Sequence, residues 1–358
     1  MSKTVSTIAK SPTLQIAGRI VGKLHPTLVI AEIGVNHDGS AERALQLVDA
    51  AANAGADAVK LQIFNTANLV NAAAPAAEYQ RRFADESPAA MLTRLELDQD
   101  AIRAVVQRIR ERGLIPLATP FSPPDVATIH RLRLPAIKIA SPDLINRPLL
   151  MAAAALAVPL IISTGAATAD EVAKTVYWLR RWKADFALLQ CTSSYPADDA
   201  DANLCWLAEL SAGGSVVGFS DHTRSDFAGA LAVAAGACIV EKHLTYDRGA
   251  VGPDHSASAD PAHFAYYVAL IRQAEKMRGR PGKHVLDCEA DVRRVSRQSL
   301  VLARDIQPGK ALRKTDLIVQ RPGIGIPANQ IDEVIGRRLS APAPAGTMLT
   351  WELLGHAA

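Results

Sequence analysis

The hydrophobic pattern of the chain alternates between two periods. Eight short runs are almost continuously apolar: "LVIAEIG" (28–34), "DAVKLQI" (57–63), "LIPLAT" (114–119), "AIKIAS" (136–141), "PLIIST" (159–164), "FALLQC" (186–191), "SVVGFS" (215–220) and "ACIVEK" (237–242). Runs this short, without polar alternation, are expected of parallel strands covered on both faces. Longer stretches with helical spacing separate them. Ser40 predicts a helix cap, Leu45, Val48 and Ala52 share a face, and Gly55 predicts the helix end. After the last run, Asp260 and Pro261 mark a helix start, and Phe264, Tyr267, Val268 and Ile271 follow at helical spacing. Eight strand–helix units predict an α/β fold, a closed (β/α)8 TIM barrel rather than an open sheet. "LQIAGRIVGK", ahead of the first run, reads as a hairpin that plugs the bottom of the barrel.

Near residue 279 this rhythm stops. "RGRPGKHVLDCEADVRR" reads as a Gly/Pro-containing charged linker, and the remainder as short strands with a Pro-Gly turn. The expected domains are therefore a barrel with its hairpin over 1–280, a linker over 281–295 and a small mixed domain over 296–358. A small domain of that size is marginal alone.

Composition narrows the class. A net charge of +3 over 358 residues argues against a dedicated nucleic-acid surface. The four cysteines show no CxxC spacing and read as reduced, mostly packing residues. The N-terminus lacks a signal-peptide core, and the most apolar stretches are short and broken by Pro or Gly. A cytoplasmic protein without membrane or nucleic-acid partners is expected.

Chemistry in such barrels sits at the C-terminal strand ends. Every run closes on polar residues there: Glu32; Lys60 and Gln62; Thr119 and Ser122; Lys138 and Ser141; Ser163 and Thr164; Gln190, Thr192 and Ser193; Ser220, Asp221 and His222; Glu241, Lys242 and His243. Two lysines with several hydroxyls suit a ligand carrying phosphate or carboxylate. His222 and His243 follow adjacent strands at equivalent positions, as a pair of ligands to one divalent cation would. His37 and His255 stay ambiguous, and His130, His263, His284 and His356 read as peripheral.

Ten motifs, in order, carry a resemblance: "IAEIGVNHDGS", "KLQIF", "ATPFS", "IKIASPDL", "IISTGAAT", "LLQCTSSYP", "GFSDHT", "EKHLTYDR", "GPDHSAS" and "RPGIGI". From about residue 13 to the end, the chain resembles the sialic acid (N-acetylneuraminate) synthase family. That resemblance implies a barrel joined to a C-terminal antifreeze-like SAF domain. It implies condensation of phosphoenolpyruvate with an N-acylated mannosamine-type sugar to a nonulosonic acid. N-acetylneuraminate is the default product, with N-acetylmannosamine 6-phosphate or a dideoxy sugar as alternative acceptors.

By motif, Lys60, Thr119, Lys138, Ser141, Ser163 and Ser220 would hold phosphoenolpyruvate, and Glu32, Gln62, Tyr195 and Asp254 the sugar. His222 and His243 would bind manganese, with magnesium or cobalt as alternatives. Arg321 would reach the sugar from the neighbouring subunit of a domain-swapped homodimer. Proton transfer would fall to Glu32 or Asp143; "SPD" here stands where many relatives carry glycine then glutamate after the serine. Segment 65–97, a long insertion, is expected to carry part of the sugar specificity. Two other readings compete: a Schiff-base aldolase using Lys60 or Lys138, and an inactive carbohydrate-binding scaffold.

Overall fold

A computed structural model of the chain describes residues 11–71 and 87–355. The hairpin forms as expected, β1 (Thr13–Ile16) pairing antiparallel with β2 (Arg19–Gly22). Eight strands follow: β3 (Leu28–Gly34), β4 (Ala58–Ile63), β5 (Ile115–Pro120), β6 (Ile137–Ile139), β7 (Leu160–Ser163), β8 (Phe186–Cys191), β9 (Val216–Asp221) and β10 (Ile239–His243). They close in chain order into a parallel barrel, β10 pairing with β3. Each apolar run became a strand. The run at 136–141 is cut to three residues because a 3-10 turn, Ser141–Asp143, takes over with Pro142 in it.

Alternation along the strands sorts the core into two shells. Val29, Ala31, Val59, Leu61, Ile137 and Ile139 face the surrounding helices. Leu28, Ile30, Ala58, Leu117, Ile161 and Ile239 face the barrel axis, where Leu14, Ile16 and Val21 of the hairpin pack against them. The bottom of the barrel is thus filled with hydrocarbon, and the axial positions left over lie at the C-terminal ends.

The helix Ala41–Asn53 starts where Ser40 accepts a hydrogen bond from the Arg43 N–H. Its buried face is Ala44, Leu47, Val48 and Ala51, one residue earlier than Leu45 and Ala52 suggest. Small alanines on that face let the helix lie close to β3 and to the helix Gln99–Glu111, which bulk hydrophobicity alone does not reveal. The helix Pro261–Arg278 buries Phe264, Tyr267, Val268 and Ile271, as its spacing requires. Part of the 65–97 insertion is structured: Ser87 caps the helix Pro88–Leu95. Positions 72–86 of that insertion lie outside the described residues, as does His356.

A second compact unit begins at Pro281. It contains β11 (Ser299–Leu302) and β12 (Leu317–Gln320), paired antiparallel, and its own core of Leu300, Leu302, Leu312, Ile326, Val334 and Leu349 among others. The stretch read as linker is not featureless, since it carries most of the helix Ala290–Ser296. Alanine and arginine in "EADVRRVS" favour that turn of helix once Pro281 and Gly282 are past, and Asp291 in its first turn complements the helix dipole. Among the described residues no helix is long and apolar enough to cross a membrane.

Candidate active site

Strand phase decides which polar residues meet. Lys60 and Gln62 on β4, Thr119 on β5, Lys138 on β6, Ser163 on β7, Ser220 on β9, and Glu241 and His243 on β10 all share the axial phase of the strands. Ser141, Tyr195, His222 and Asp254 join them from the loops above. Together they line a cavity of about 190 Å³. Two glycines make room for this crowding. A Cβ on Gly34 would lie 2.4 Å from Glu32 Oε1 and 2.7 Å from Gln62 Nε2. One on Gly165 would meet Ser141 Oγ at 2.9 Å, whereas the Gly165 N–H now donates to that hydroxyl at 3.0 Å.

The floor of the cavity is ionic and almost sealed. Lys60 Nζ lies 2.6 Å from Glu32 Oε2 and 3.3 Å from Glu241 Oε2, both as ion pairs without hydrogen-bond alignment. Lys138 Nζ donates to Ser163 Oγ at 2.6 Å and stands 3.6 Å from Glu241 Oε1. Ser220 Oγ donates to the same Glu241 oxygen at 2.9 Å. Burial pushes the Lys60 ammonium down to about 8, with Glu241 pulling the other way. Burial acts to raise Glu241, but Lys138 and Lys60 outweigh it and hold the carboxyl at about 2. Two lysines thus meet two carboxylates, Lys138 being the more loosely paired, and the buried Thr119 hydroxyl has no hydrogen-bond partner. Such a floor is arranged to receive an anion.

Toward the mouth stand the imidazoles. His222 and His243 have ring centroids 5.4 Å apart, and Tyr195 lies 4.2 Å from the first and 5.9 Å from the second. His222 Nδ1 faces the Thr192 carbonyl at 2.8 Å, which assigns a proton to Nδ1; in the neutral ring the lone pair is then on Nε2. Burial acts to lower the pKa of this imidazole, but Cys191, the Thr192 carbonyl and Glu241 outweigh it and raise the pKa. His243 Nδ1 is buried without a hydrogen-bond partner, 3.4 Å from Asp254 Oδ2. Burial, and then the neighbouring His222, hold His243 well below the ordinary imidazole range, so it is neutral. One free lone pair and one orphaned nitrogen beside a carboxylate fit a divalent cation. Among the described residues no group of three or more His, Cys, Asp or Glu is placed to hold a metal ion, so a cation here would rest on the two imidazoles with ligands from outside the protein.

Not every candidate is brought in. Asp143 does not line the cavity: the 3-10 turn directs Ser141 and Pro142 there, while the Asp143 carboxylate accepts a hydrogen bond from Asn146 Nδ2 at 2.9 Å. Glu32 is fully buried behind Lys60. Arg321 belongs to the second unit and is exposed. Gln190, Asp221 and Lys242 sit on the outward phase of their strands; Gln190 donates to the Ala202 carbonyl, and Lys242 pairs with Asp221. His255 is taken up between Thr245 and Asp38 and does not line the cavity.

Two lining groups were given no role by the resemblance. Glu241 is one, although its place two residues before His243 on one strand puts both on the same face. Cys191 is the other, its Sγ 3.4 Å from Ser141 Oγ and 3.7 Å from His222 Nδ1. The packing role expected of the cysteines is further wrong for Cys205 and Cys288, which are exposed. An apolar wall of Val35, Met91, Leu92, Leu95 and Phe121 completes the cavity. Three of those five come from the insertion helix.

Residues 47–283 match the NeuB family and residues 297–355 the SAF domain. The chain belongs to the NeuB family. It is 39% identical over 332 residues to N,N'-diacetyllegionaminic acid synthase of Legionella pneumophila, covering 90% of this chain and 93% of that one. It is 36% identical over 317 residues to the enzyme of the same name from Campylobacter jejuni, covering 87% and 95%. The solved N-acetylneuraminic acid synthetase of Leptospira borgpetersenii superposes with a TM-score of 0.71 at 32% identity, covering 79% of this chain and 95% of that one. The fold is accordingly a TIM barrel followed by a SAF domain, and the chain is an enzyme of a family that makes nonulosonic acids.

Proposed function

We propose that the chain condenses phosphoenolpyruvate with the open-chain aldehyde of an N-acylated mannosamine-type sugar and water, giving a nonulosonic acid and phosphate. The observation that carries this reading is one cavity with an anion-receiving floor, two lysines and four hydroxyls, below a pair of imidazoles. Lys60 and Lys138 would neutralise phosphate and carboxylate, and Thr119, Ser141, Ser163 and Ser220 would supply directed donors. Gln62, Tyr195 and Asp254 surround the space where the sugar's hydroxyls would lie.

The bond changes balance as follows. C3 of phosphoenolpyruvate bonds to the aldehyde carbon, water adds to C2, and the C2–O bond to phosphate breaks. Water's first proton goes to the new alkoxide by way of a carboxylate that accepts and returns it, and its second, lost as C2 becomes a carbonyl, leaves on the departing phosphate. We assign that role to Glu241, which lines the cavity, with Glu32 behind it; Asp143 faces elsewhere. A divalent cation, manganese with magnesium or cobalt as alternatives, would be held by His222 and His243 and would polarise the aldehyde oxygen as a Lewis acid.

For the acceptor we take a six-carbon sugar bearing two acetamido groups, in place of the N-acetylmannosamine that the motifs suggest by default. Removing three pyruvyl carbons from an N,N'-diacetyl nonulosonic acid leaves such a sugar, and two relatives carry that product in their names. The wall of Val35, Met91, Leu92, Leu95 and Phe121 suits methyl groups and offers no cation to a sugar phosphate. The test is phosphate release from phosphoenolpyruvate with manganese, using the diacetamido sugar, N-acetylmannosamine and its 6-phosphate, with products weighed by mass spectrometry. Release is expected fastest with the diacetamido sugar. Covalent labelling by borohydride plus substrate would point instead to a Schiff-base aldolase. Sugar binding without phosphate release would point to a scaffold.

Because the Lys60 ammonium is lost near pH 8, phosphoenolpyruvate should bind more weakly above it. Its kcat/KM is expected to fall with rising pH, by up to about tenfold per unit. Lys60→Arg should extend the plateau; a flat wild-type profile to pH about 10 would remove Lys60 from the anion site.

We further propose a homodimer in which the partner subunit's SAF domain supplies Arg321, whose exposed position leaves it available. Arg321→Ala should raise the acceptor KM about tenfold. Mixing it with the inactive His222→Ala chain should restore part of the activity, which a site built within one chain would not allow.

A further inference from the structure

The outward faces of β9 and β10 hold a buried ionic cluster that no step above uses. Lys242 Nζ donates to Asp221 Oδ2 at 2.8 Å and to the Thr223 carbonyl at 2.9 Å. Tyr267 OH donates to the same Asp221 oxygen at 2.8 Å, and the Thr223 N–H donates to Asp221 Oδ1 at 2.8 Å. The Lys242 ammonium also stands 4.8 Å from the centre of the Tyr267 ring. Lys242, Asp221, Thr223 and Tyr267 are all buried, in the predominantly apolar layer between barrel and helices. Gly229 belongs to the same construction, because a Cβ there would lie 2.4 Å from the Tyr267 hydroxyl.

A buried ion pair is weak evidence for stability, since apolar residues of similar volume often serve as well. Its position is more telling. The backbone ladder between β9 and β10 ends at the pair Asp221–Lys242. His222 lies one residue past that last rung: on the β8 side its carbonyl accepts from the Ala197 N–H at 3.0 Å, while on the β10 side the ladder has ended. Lys242 bridges the gap, holding Asp221 by its carboxylate and Thr223 by its carbonyl, the residues on either side of His222. Its own neighbours along β10 are Glu241 and His243, both facing the cavity.

We infer that Lys242 is a positioning residue: from outside the barrel it clamps the backbone on both sides of His222 and so fixes that imidazole against His243. The inference rests on reading the two histidines as the cation's ligands. Neither Lys242 nor Tyr267 lines the cavity, so the effect must pass through the backbone at 221–223.

The experiment compares manganese affinity by calorimetry, without substrates, in the wild type, in Lys242→Met and in Lys242→Met/Asp221→Asn. The double variant removes the uncompensated carboxylate that the single one leaves, so it separates loss of stability from loss of position. The double variant is expected to keep its near-UV circular dichroism and its affinity for phosphoenolpyruvate, and to bind manganese about 10–100-fold more weakly. A folded double variant within about twofold of wild-type affinity overturns the inference. If neither variant folds, Tyr267→Phe, which removes one hydrogen bond from Asp221, takes their place under the same criterion. Should the wild type bind no manganese, the cation reading fails by itself. The clamp is then judged on imidazole nitrogen NMR of His222, whose Nδ1–H form is expected in the wild type and a tautomer mixture in the variant. An unchanged spectrum would sink the clamp.

Discussion

Replacing Glu241 with alanine is expected to lower turnover about a thousand-fold and to destabilise the fold by about 3–5 kcal/mol. The stability effect follows from what the carboxylate neutralises. Lys60 retains Glu32 at 2.6 Å, whereas among the described residues Lys138 pairs with Glu241 alone, at 3.6 Å. Removing the carboxylate therefore leaves a buried ammonium without compensation. Phosphoenolpyruvate carries the missing negative charge, so it should raise the melting temperature of Glu241→Ala more than that of the wild type. The effect also has a pH window. Glu241 titrates in the fold at about 2, below its ordinary 4.5, so its stabilisation is complete above about 4.5 and is lost as pH falls toward about 2. Thermal unfolding from neutral pH into that window should show wild type and Glu241→Gln converging. Curves that stay parallel would mean that the two lysines do not depend on this carboxylate.

Replacing His243 with alanine is expected to weaken manganese binding at least about a hundred-fold and to lower turnover about a thousand-fold. His243 offers a neutral ring with an unpartnered nitrogen, held neutral by burial. It stands two residues beyond Glu241 on β10, so the anion floor should survive its removal. The KM for phosphoenolpyruvate should accordingly stay within a few-fold of the wild-type value, which kinetics at saturating acceptor would read directly. A large rise in that KM with unchanged manganese affinity would place His243 among the anion ligands.

How far the chain could be read beforehand depends on which physical signal each part leaves. Continuous apolar runs leave a strong one, and all eight strands follow from it. Helix caps such as Ser40 and Asp260 do as well, because a side-chain oxygen and the N–H groups it accepts from lie two or three residues apart. The axial set of the site was legible as polar residues closing apolar strands. What the list of strand ends lacked was phase: counting alternation from Ile239 separates Glu241 and His243, which face inward, from Lys242, which does not. Asp143 was misplaced for another reason. A proline-containing 3-10 turn rotates successive side chains away from strand alternation, and Asn146, three residues on, offers the carboxylate a local partner. The apolar wall depends on where the insertion helix folds back, a long-range matter on which local pattern is silent.

The hairpin packed beneath the barrel has a kinetic consequence. Among the described residues, Leu14, Ile16 and Val21 stopper the lower end, so the cavity opens toward the strand tips. Its lysine floor lies below its histidine rim, so whichever reactant belongs at the floor has to arrive before the one at the rim. On the proposed reaction, phosphate held at the lysine floor would leave after the larger sugar acid above it. A queue of this kind would follow from topology alone, whatever the rate of the chemistry.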